Sequence, residues 1–497
     1  MTRSEVQVPH RPPFVGCFLF EIIFSARGMM TNMNRMGEGI GDRSSRRNSA
    51  SIILKSMIAA LKNSLKIATA AFFVLMSQIA IAGVLYDIIA ASQLLLLSVV
   101  VYIGLSLYAA RKKYVNRSDK AIYYRFFAAR AITGMLFLAC LFHSNQMGTT
   151  FLSLFLGAVP GQFLIIGIVG MVIGAAAFHK RSFRFALVMI LTSIVTVVSA
   201  TVVLSAQVSF AKNSGVEVAS QELWSSEDPL PRSPSSIVSF PAADNKKLSA
   251  LLWRSTVETI ATRPVVVMLH GGGFASGSPA DMTPTASMLA DRGYTVFSVE
   301  YRLAPPERWK DATDDIVRFL QWLEVNRVKQ GIASTKVVLL GNSAGGSLAL
   351  NVAYGLKSGQ IDTGDFAPVS PVGVVGLYPA ADLGKLYDST MYQDPRPVLS
   401  SYIGGSPSEV AAQWTYADPA KKIVAGLPPT LLVTGASDHL VYAAHVQAFS
   451  EKVASLGNDV QMYTIPYADH SFDARYNSPG SAIKRGVLLR WLDQLSH

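Results

Sequence analysis

The sequence predicts an α/β domain with a mostly parallel sheet, preceded by an all-α transmembrane bundle of about five helices. Two observations lead to this prediction. Long apolar runs follow one another up to residue 206, and each is near the roughly 20 residues that a helix needs to cross a bilayer. Beyond residue 237, short apolar runs alternate with helical patterns, which is typical of buried parallel strands covered by helices on both faces.

Composition and charge agree with this division of the chain. Half of the 497 residues are hydrophobic and 15% are charged, against roughly 25% in ordinary globular domains. The net charge of +11 belongs to the first part, because residues 1–206 hold 20 Lys and Arg against 6 Asp and Glu, whereas the remainder holds 24 against 27. The basic residues flank apolar runs, which favours membrane topology over nucleic-acid binding.

The N-terminal part is predicted to be a disordered cytoplasmic tail (1–51) and a transmembrane region (52–206). Five spans are expected at about 67–86, 94–110, 126–142, 157–178 and 185–206. Basic residues cluster before the first span, between the second and third, and between the fourth and fifth, so these loops are expected in the cytoplasm. With five spans, the domain that follows is extracytoplasmic or periplasmic. The prediction is an integral membrane protein of the bacterial inner-membrane type.

The membrane region is interpreted as an anchor or a small binding bundle. A transporter is disfavoured because ionisable residues inside spans usually mark a transport path, and Asp87 and His143 lie at predicted span ends. Three glycines in the fourth span are expected to permit close packing of helices. They are Gly167, Gly170 and Gly174.

A polar linker is predicted over residues 207–236, before an α/β domain over 237–497. The segment SAQVSFA (205–211) resembles a signal-peptidase site, so cleavage there stays open. Strands are expected at 237–240, 248–254, 265–269, 296–299, 337–340, 372–377, 430–433 and 460–465. Helices are expected at 280–292, 311–329, 345–356, 441–456 and 481–495. The Pro- and Tyr-rich stretch 380–414 is expected either to cover the site or to be an ordinary surface excursion.

The strongest chemical signal is the G-x-S-x-G motif of residues 341–345. It follows the apolar run KVVLL and begins a helical pattern, the strand–turn–helix setting of a nucleophile elbow. The glycines permit a tight turn that lifts the hydroxyl of Ser343 clear of the sheet, and the helix N-terminus favours developing negative charge. Ser343 is therefore the predicted nucleophile.

A second signal is the HGGGF motif of residues 270–274, at the end of the apolar run VVVML. Acyl transfer forms an oxyanion, which backbone N–H groups can stabilise strongly. The expected donors are Gly272 and Gly273, together with Ala344. His270 is interpreted as a loop-shaping residue. A phosphate-binding loop is disfavoured because no Lys-Ser or Lys-Thr follows.

A serine nucleophile needs a general base and a carboxylate that orients it, here in the chain order serine, acid, histidine. Asp438 follows the run TLLVTG and His470 follows VQMYTIP, so both are expected at the C-terminal edge of the sheet, beside Ser343. Asp382 follows an earlier strand and is the alternative acid.

Four other titratable residues lie near this acid and base in the sequence. His439 and His445 precede the last strand and are interpreted as surface or helix residues. Asp469 and Asp473 flank the predicted base and are interpreted as solvated loop charges.

The HGGGF, YRLAP (301–305) and GNSAGG (341–346) motifs, with Asp438 and His470, resemble the hormone-sensitive-lipase-like esterases, a branch of the α/β-hydrolases. The resemblance covers roughly residues 235–497. It implies the α/β-hydrolase fold and the roles set out above: a serine nucleophile, a histidine base, an aspartate that orients it, and three backbone donors to the oxyanion.

The chain departs from this family at three positions. Asn342 stands where the family usually has Asp, His439 where it commonly has Pro, and Ser471 where it often has Gly. Each departure preserves the chemical roles, so the reaction class is unaffected, whereas the subfamily and acyl-chain specificity stay open.

The expected function is a membrane-anchored serine hydrolase that cleaves carboxylic esters without a metal or cofactor. The expected substrate is a small-molecule, lipid or glycan ester, and the expected partner is the membrane rather than nucleic acid. Two alternatives stay open: an envelope acyltransferase or deacetylase with the same triad, and a non-catalytic, receptor-like hydrolase fold. No pattern in the sequence indicates an oligomeric state.

Overall fold

The structure is a computed structural model. It describes residues 58, 65–66, 69–70, 72–73, 157–179, 183–225, 227–242, 244, 246–255, 257, 263–364, 367–389 and 394–496. The predicted tail (1–51) and the second and third predicted spans (94–110 and 126–142) lie outside these residues, as does most of the first span (67–86). The five-helix bundle therefore stays a prediction.

Two long apolar helices match the fourth and fifth predicted spans. They are α1 (Pro160–His179) and α2 (Phe183–Asn213). Both are long and apolar enough to cross a membrane, by length and composition alone. They pack antiparallel at the glycines of α1, where a Cβ on Gly167 would lie 2.6 Å from Val197 and one on Gly174 would lie 2.7 Å from Ile190. The small residues therefore serve close packing, as expected.

Helix α2 is longer than predicted and continues into the predicted linker. It ends at Asn213 rather than near residue 206, and a short helix α3 follows at Ser220–Trp224. The extension is stabilised by tertiary packing, because Ala211 and Val216 are buried in the same apolar cluster as Trp491 of the C-terminal domain. A peptidase needs an extended segment, so the continuous helix through residues 205–211 disfavours cleavage there.

An eight-stranded sheet forms the centre of the C-terminal domain. Its strands are β1 (Ser236–Pro241), β2 (Lys247–Trp253), β3 (Val265–Leu269), β4 (Val296–Val299), β5 (Val337–Asn342), β6 (Pro371–Leu377), β7 (Thr430–Gly435) and β8 (Val460–Ile465). The order is β1-β2-β4-β3-β5-β6-β7-β8. β2 runs antiparallel to β1 and β4, and the six strands β3 to β8 are parallel to one another. All eight predicted strands are present.

Helices cover both faces of the sheet. The main ones are α4 (Thr283–Asp291), α5 (Asp311–Asn326), α6 (Ala344–Ser358), α10 (Ala443–Ser455) and α11 (Pro479–Gln494). Three short helices lie between β6 and β7: α7 (Leu383–Tyr387), α8 (Arg396–Ile403) and α9 (Ala411–Ala417). A 3₁₀ turn at Pro279–Met282 precedes α4, where the sequence predicted one helix. The proline at the second position of α4 suits a helix start, because its missing N–H is not needed there.

The apolar core lies on both sides of the sheet. Val265, Val267 and Leu269 of β3 belong to one buried cluster, and Val266 and Met268 belong to the other. This explains why a central strand such as β3 is a continuous apolar run rather than an alternating one. The C-terminal ends of the parallel strands meet at one edge, and the candidate site lies there.

Candidate active site

The turn between β5 and α6 holds Ser343 in a strained conformation. The strand ends at Asn342 and the helix begins at Ala344, so the serine forms the turn with φ 52° and ψ −121°. A positive φ is costly for a residue with a side chain and persists where the surroundings enforce it. Gly345 is part of this enforcement, because a Cβ there would collide with the backbone carbonyl of Leu269.

Three predicted residues form one hydrogen-bonded line. Nε2 of His470 lies 2.9 Å from Oγ of Ser343, and Nδ1 of the same ring lies 2.9 Å from Oδ2 of Asp438. The second carboxylate oxygen of Asp438 accepts the backbone N–H groups of Leu440 and Val441, at 2.9 and 2.7 Å. Both carboxylate oxygens are therefore engaged, which fixes the carboxylate and, through it, the imidazole.

The environment of His470 favours its protonated form. Burial alone would lower its pKa, but the carboxylates of Asp438, Asp469 and Asp473 outweigh burial and hold the pKa above the ordinary value of 6.5. A histidine with a raised pKa is a stronger base. The site can therefore take a proton from a neighbouring hydroxyl.

A second buried His–Asp pair crosses the first. The sequence contains two Asp-His dipeptides, 438–439 and 469–470, and each aspartate contacts the histidine of the other dipeptide. Nδ1 of His439 lies 2.7 Å from Oδ2 of Asp469. The other oxygen of Asp469 accepts the backbone N–H groups of His439, at 3.0 Å, and of His470, at 2.6 Å. Asp469 thus joins the loops that carry the acid and the base.

Two expectations for this pair were wrong. His439 was expected at the surface or in a helix and Asp469 in solvent, but both are 1% exposed. The reason is that the loops after β7 and β8, two neighbouring parallel strands, end side by side. An ionisable side chain in one of these two loops can therefore be buried, because the other loop supplies its hydrogen-bond partner.

Asp473 was also expected in solvent, and it is instead partly buried in a polar network beside the imidazole, with its side chain 11% exposed. It accepts hydrogen bonds from the hydroxyl of Tyr378 (2.7 Å) and the ammonium of Lys484 (2.8 Å). Burial would raise its pKa, but the Lys484 ammonium outweighs burial and lowers it. The Tyr378 ring packs edge-on against the imidazole of His470, with centroids 4.7 Å apart, and its hydroxyl accepts from Asn342 at 3.1 Å.

Sequence reasoning missed two members of this network. Tyr378 directly follows β6, at the same strand edge as the predicted site residues, so its position was an available signal. Lys484 lies inside α11 and has no comparable signal in the sequence.

The alternative acid and the remaining histidine serve other purposes. Asp382 caps helix α7 by accepting the backbone N–H of Lys385 at 2.8 Å. His445 lies half-buried in α10, as expected for a helix residue. The carboxylate that contacts His470 is therefore that of Asp438.

The glycine loop after β3 lies directly against the elbow. Gly272 and Gly273 have φ of 120° and 60°, and a Cβ on Gly271 would lie 3.2 Å from Cβ of Ser343. Ala344 is the first residue of α6, so its N–H has no acceptor within the helix. The three predicted donors to an oxyanion thus belong to the loop beside the nucleophile and to the helix start that follows it.

His270 shapes this loop rather than reaching the nucleophile. Its ring is 1% exposed and stacks on Tyr301, with centroids 4.4 Å apart, and its backbone carbonyl accepts the Tyr301 hydroxyl at 2.7 Å. Burial lowers its pKa. In the same YRLAP motif, Arg302 pairs with the fully buried Asp315 at 2.8 Å. The motif therefore supports the glycine loop from behind.

Helix α8 packs over the glycine loop. The Tyr402 ring stacks on Phe274 with centroids 3.9 Å apart, and Val398 lies 3.5 Å from the position of a Cβ on Gly273. The backbone N–H of Arg308 donates to the carbonyl of Tyr402 at 2.8 Å. Of the two interpretations of stretch 380–414, these contacts favour a cover over the site.

Comparison with known proteins agrees with this architecture. Residues 266–474 match a protein family described by the α/β hydrolase fold. The C-terminal domain has the α/β-hydrolase fold. The predicted fold class of this domain is thereby confirmed.

The curated relatives are named as esterases. A probable carboxylic ester hydrolase of Mycobacterium tuberculosis, LipM, is 26% identical over 227 residues, which cover 45% of this chain and 52% of that protein. Probable carboxylesterase 8 of Arabidopsis thaliana is 30% identical over 203 residues, covering 35% and 59%. An ethyl acetate hydrolase of Pseudomonas putida is 27% identical over 251 residues, covering 47% and 74%. The chain thus spans little more than half the length of the first two.

Solved structures with a similar fold are also esterases by name. A bacterial heroin esterase is 24% identical, with a TM-score of 0.44, and the match covers 52% of this chain and 83% of that one. Esterase 2 of the Planctomycetes species Thermogutta terrifontis is 22% identical, with a TM-score of 0.43, and the match covers 52% and 91%.

Proposed function

We propose that this protein is a membrane-anchored serine hydrolase that cleaves carboxylic esters. The observation that supports the proposal most directly is the hydrogen-bonded line from Asp438 through His470 to Ser343, with 2.9 Å at each step. A serine, a base within reach of its proton and a carboxylate that orients the base are the parts that nucleophilic acyl transfer requires. The esterase names of the relatives agree with this chemistry.

The reaction proceeds through an acyl-enzyme. Oγ of Ser343 attacks the ester carbonyl while Nε2 of His470 takes the hydroxyl proton, and Asp438 stabilises the imidazolium. The N–H groups of Gly272, Gly273 and Ala344 stabilise the negative charge on the carbonyl oxygen. His470 then gives its proton to the departing alcohol. A water molecule repeats the sequence on the acyl-enzyme, loses its proton to the imidazole, and releases the acid and the free serine.

Membrane anchoring is supported by helices α1 and α2. Between Pro160 and Phe178, and again between Phe185 and Ala211, the sequence has no charged residue. The short connection between the helices carries Lys180 and Arg181, and Arg184 lies in the first turn of α2, which favours a cytoplasmic location of this end. The ends of the helices next to the C-terminal domain then face the opposite side, so the domain is extracytoplasmic.

The test is hydrolysis of p-nitrophenyl butyrate by the full chain in detergent. Ser343→Ala is expected to reduce kcat at least about a thousandfold, because the residues of a triad act as a unit. Ser455→Ala, which changes an exposed serine of α10, is the matched control and is expected to retain full activity. Retention of most activity by Ser343→Ala would reject the proposed nucleophile.

A further inference from the structure

The helix pair α1 and α2 contacts the loop that carries His470. We call this contact, made by Gln207, Gly157 and Pro466, the mount. The side-chain amide of Gln207, in α2, donates to the backbone carbonyl of Pro466 at 3.1 Å and to that of Gly157 at 2.9 Å. Gln207 is fully buried. Pro466 precedes His470 by four residues, within the loop that follows β8.

Apolar packing reinforces this mount. Tyr467 packs against a small cluster formed by the helix pair, which contains Phe163, Ala200 and Val203. Gly157 approaches the backbone of Tyr467 so closely that a Cβ there would collide with its carbonyl oxygen. The loop of the base therefore rests on the ends of α1 and α2 rather than standing away from them.

A second set of contacts holds the mount rigid. Beyond Gln207, helix α2 is buried at Ala211, in a cluster that includes Trp491 of α11. An ion pair between Arg485 and Glu222, with side chains 9% and 16% exposed, ties α11 to the segment that follows α2. The active-site edge thus has a fixed position relative to the helix pair.

The exposed apolar surface of the helices sets the depth of the bilayer. Large apolar side chains face outward along both helices. They are Ile165, Ile168, Val169, Val172 and Phe178 in α1, and Phe183, Leu187, Leu191, Ile194, Val198, Val202 and Val208 in α2. A hydrocarbon core of about 30 Å corresponds to roughly 20 helical residues at 1.5 Å per residue. Counted from Phe185, the first residue after Arg184, it ends near Ser205, within one helical turn of Gln207.

The contact between Gln207 and Pro466 therefore lies at the boundary between hydrocarbon and headgroups. Four residues of extended chain span at most about 14 Å, so the Cα of His470 is no further than that from the Cα of Pro466, and the imidazole extends from there. The headgroup region on each side of a bilayer is about 5–8 Å thick. The backbone of the His470 loop consequently lies within roughly two headgroup layers of the hydrocarbon.

We propose that the substrate is an acyl ester of a membrane lipid, which reaches Ser343 from the bilayer leaflet that faces the domain. This inference rests on the proposed serine hydrolase and its membrane anchor, and it names the substrate class. In a bilayer, the ester carbonyls of acyl lipids lie between the chains and the headgroups, which is the depth at which the mount holds the catalytic loop.

The experiment uses the full chain reconstituted into vesicles of ether-linked phosphatidylcholine, a lipid without acyl esters. Two esters are compared: p-nitrophenyl palmitate, which partitions into the bilayer, and p-nitrophenyl acetate, which stays in water. The bulk concentration of each ester is fixed below saturation, and ether lipid is added to dilute the palmitate ester in the membrane. Tenfold dilution is expected to reduce the palmitate rate about tenfold and to leave the acetate rate unchanged.

The outcomes separate the substrate class from the activity. If the rate of palmitate hydrolysis does not change on surface dilution while acetate is hydrolysed normally, access of the substrate from the bilayer is wrong. The proposed serine hydrolase activity is then unaffected. If neither ester is hydrolysed and Ser343 does not react, the proposed function fails and the lipid substrate with it.

A variant pair tests the mount itself. Gln207→Leu keeps the volume but loses both hydrogen bonds to the backbone, so the ratio of palmitate to acetate hydrolysis is expected to fall severalfold. Gln162→Leu is the matched control, because it loses a hydrogen bond from α1 to Ser225 and leaves the His470 loop untouched. An unchanged ratio in Gln207→Leu would contradict the role of the mount in presenting lipid esters.

Discussion

The tautomer of His470 determines what Ser343 can do. Because Asp438 accepts the Nδ1 proton of the imidazole at 2.9 Å, the neutral ring has its lone pair on Nε2, which faces the serine hydroxyl at the same distance. The carboxylate cannot rotate away, since its other oxygen accepts two backbone N–H groups. A neutral imidazole is then a base, and a protonated one is inactive towards the serine.

The pH dependence of hydrolysis follows from the raised pKa of His470. The base is active when neutral, so kcat/KM is expected to rise with pH and to level off above the pKa of this histidine, which exceeds 6.5. Asp438→Asn removes the largest charge that raises the pKa, so the acidic limb should move to lower pH while kcat falls by up to about 10⁴-fold. Rate profiles from pH 5 to 9 measure both effects; a limb that stays in place would contradict the assignment.

Asp469 is expected to position the base rather than to react. Asp469→Asn removes a charge and weakens the connection between the loops of Asp438 and His470, and a misplacement of about 1 Å costs roughly 10²-fold in rate. We expect kcat to fall between tenfold and a hundredfold, with KM little changed and the acidic limb moved to lower pH. Asp459→Asn, at an exposed site, is the control. Full activity with an unmoved limb in Asp469→Asn would show that the crossed pair has no part in catalysis.

The sequence predicts the reacting side chains better than their support. Ser343, Asp438 and His470 each follow a strand of the parallel part of the sheet, and the ends of parallel strands meet at one edge. His439, Asp469 and Lys484 find partners at sequence separations of 30, 30 and 11 residues, and their burial depends on which loops and helices meet in three dimensions. No local pattern encodes that.

The strand–turn–helix of the nucleophile depends on a close approach between β3 and α6. Gly345 permits it, because a Cβ there would meet the carbonyls of Leu269 and His270. The helix start therefore lies directly against the end of β3, which brings the glycine loop next to the serine.

Gly345→Ala is accordingly expected to destabilise the domain by about 1–3 kcal/mol, the usual cost of overpacking. The free energy of unfolding is measured by urea titration in detergent. Gly384→Ala is the control, since the nearest atoms to its Cβ would be at an ordinary 3.6 Å. Equal stabilities of the two variants would contradict the close approach.

Periodicity predicts the strands and most helices of this chain, and it fails where packing overrides it. The eight strands are found within two residues of their expected bounds. The polar residues after position 206 suggested a linker, yet α2 continues to Asn213, because Gln207 and Ala211 are buried against the C-terminal domain. Polarity in the sequence therefore did not mark the end of this helix.

The assembly of helix pair and hydrolase domain places a catalytic edge beside an apolar surface. Helices α1 and α2 expose rows of large apolar side chains, and each buried methylene favours an apolar environment by about 0.8 kcal/mol. The same helices contact the His470 loop. The proposed anchor and the proposed active site thus belong to one continuous structure.

The full chain is expected to stay in the membrane fraction after washes with 1 M NaCl and with alkaline carbonate, and to be released only by detergent. Salt releases proteins held by surface charge, whereas apolar helices remain inserted. Sedimentation followed by immunoblotting measures the distribution. Release by carbonate alone would contradict the anchor while leaving the ester chemistry untouched.

The most direct test of the account is the site of covalent labelling by a fluorophosphonate, which reacts with an activated serine. The full chain in its membrane is treated with the probe, digested and sequenced by mass spectrometry. We expect an adduct on Ser343, none in Ser343→Ala, and labelling slowed by orders of magnitude in His470→Asn. An unlabelled Ser343, or labelling that is indifferent to His470, would contradict it.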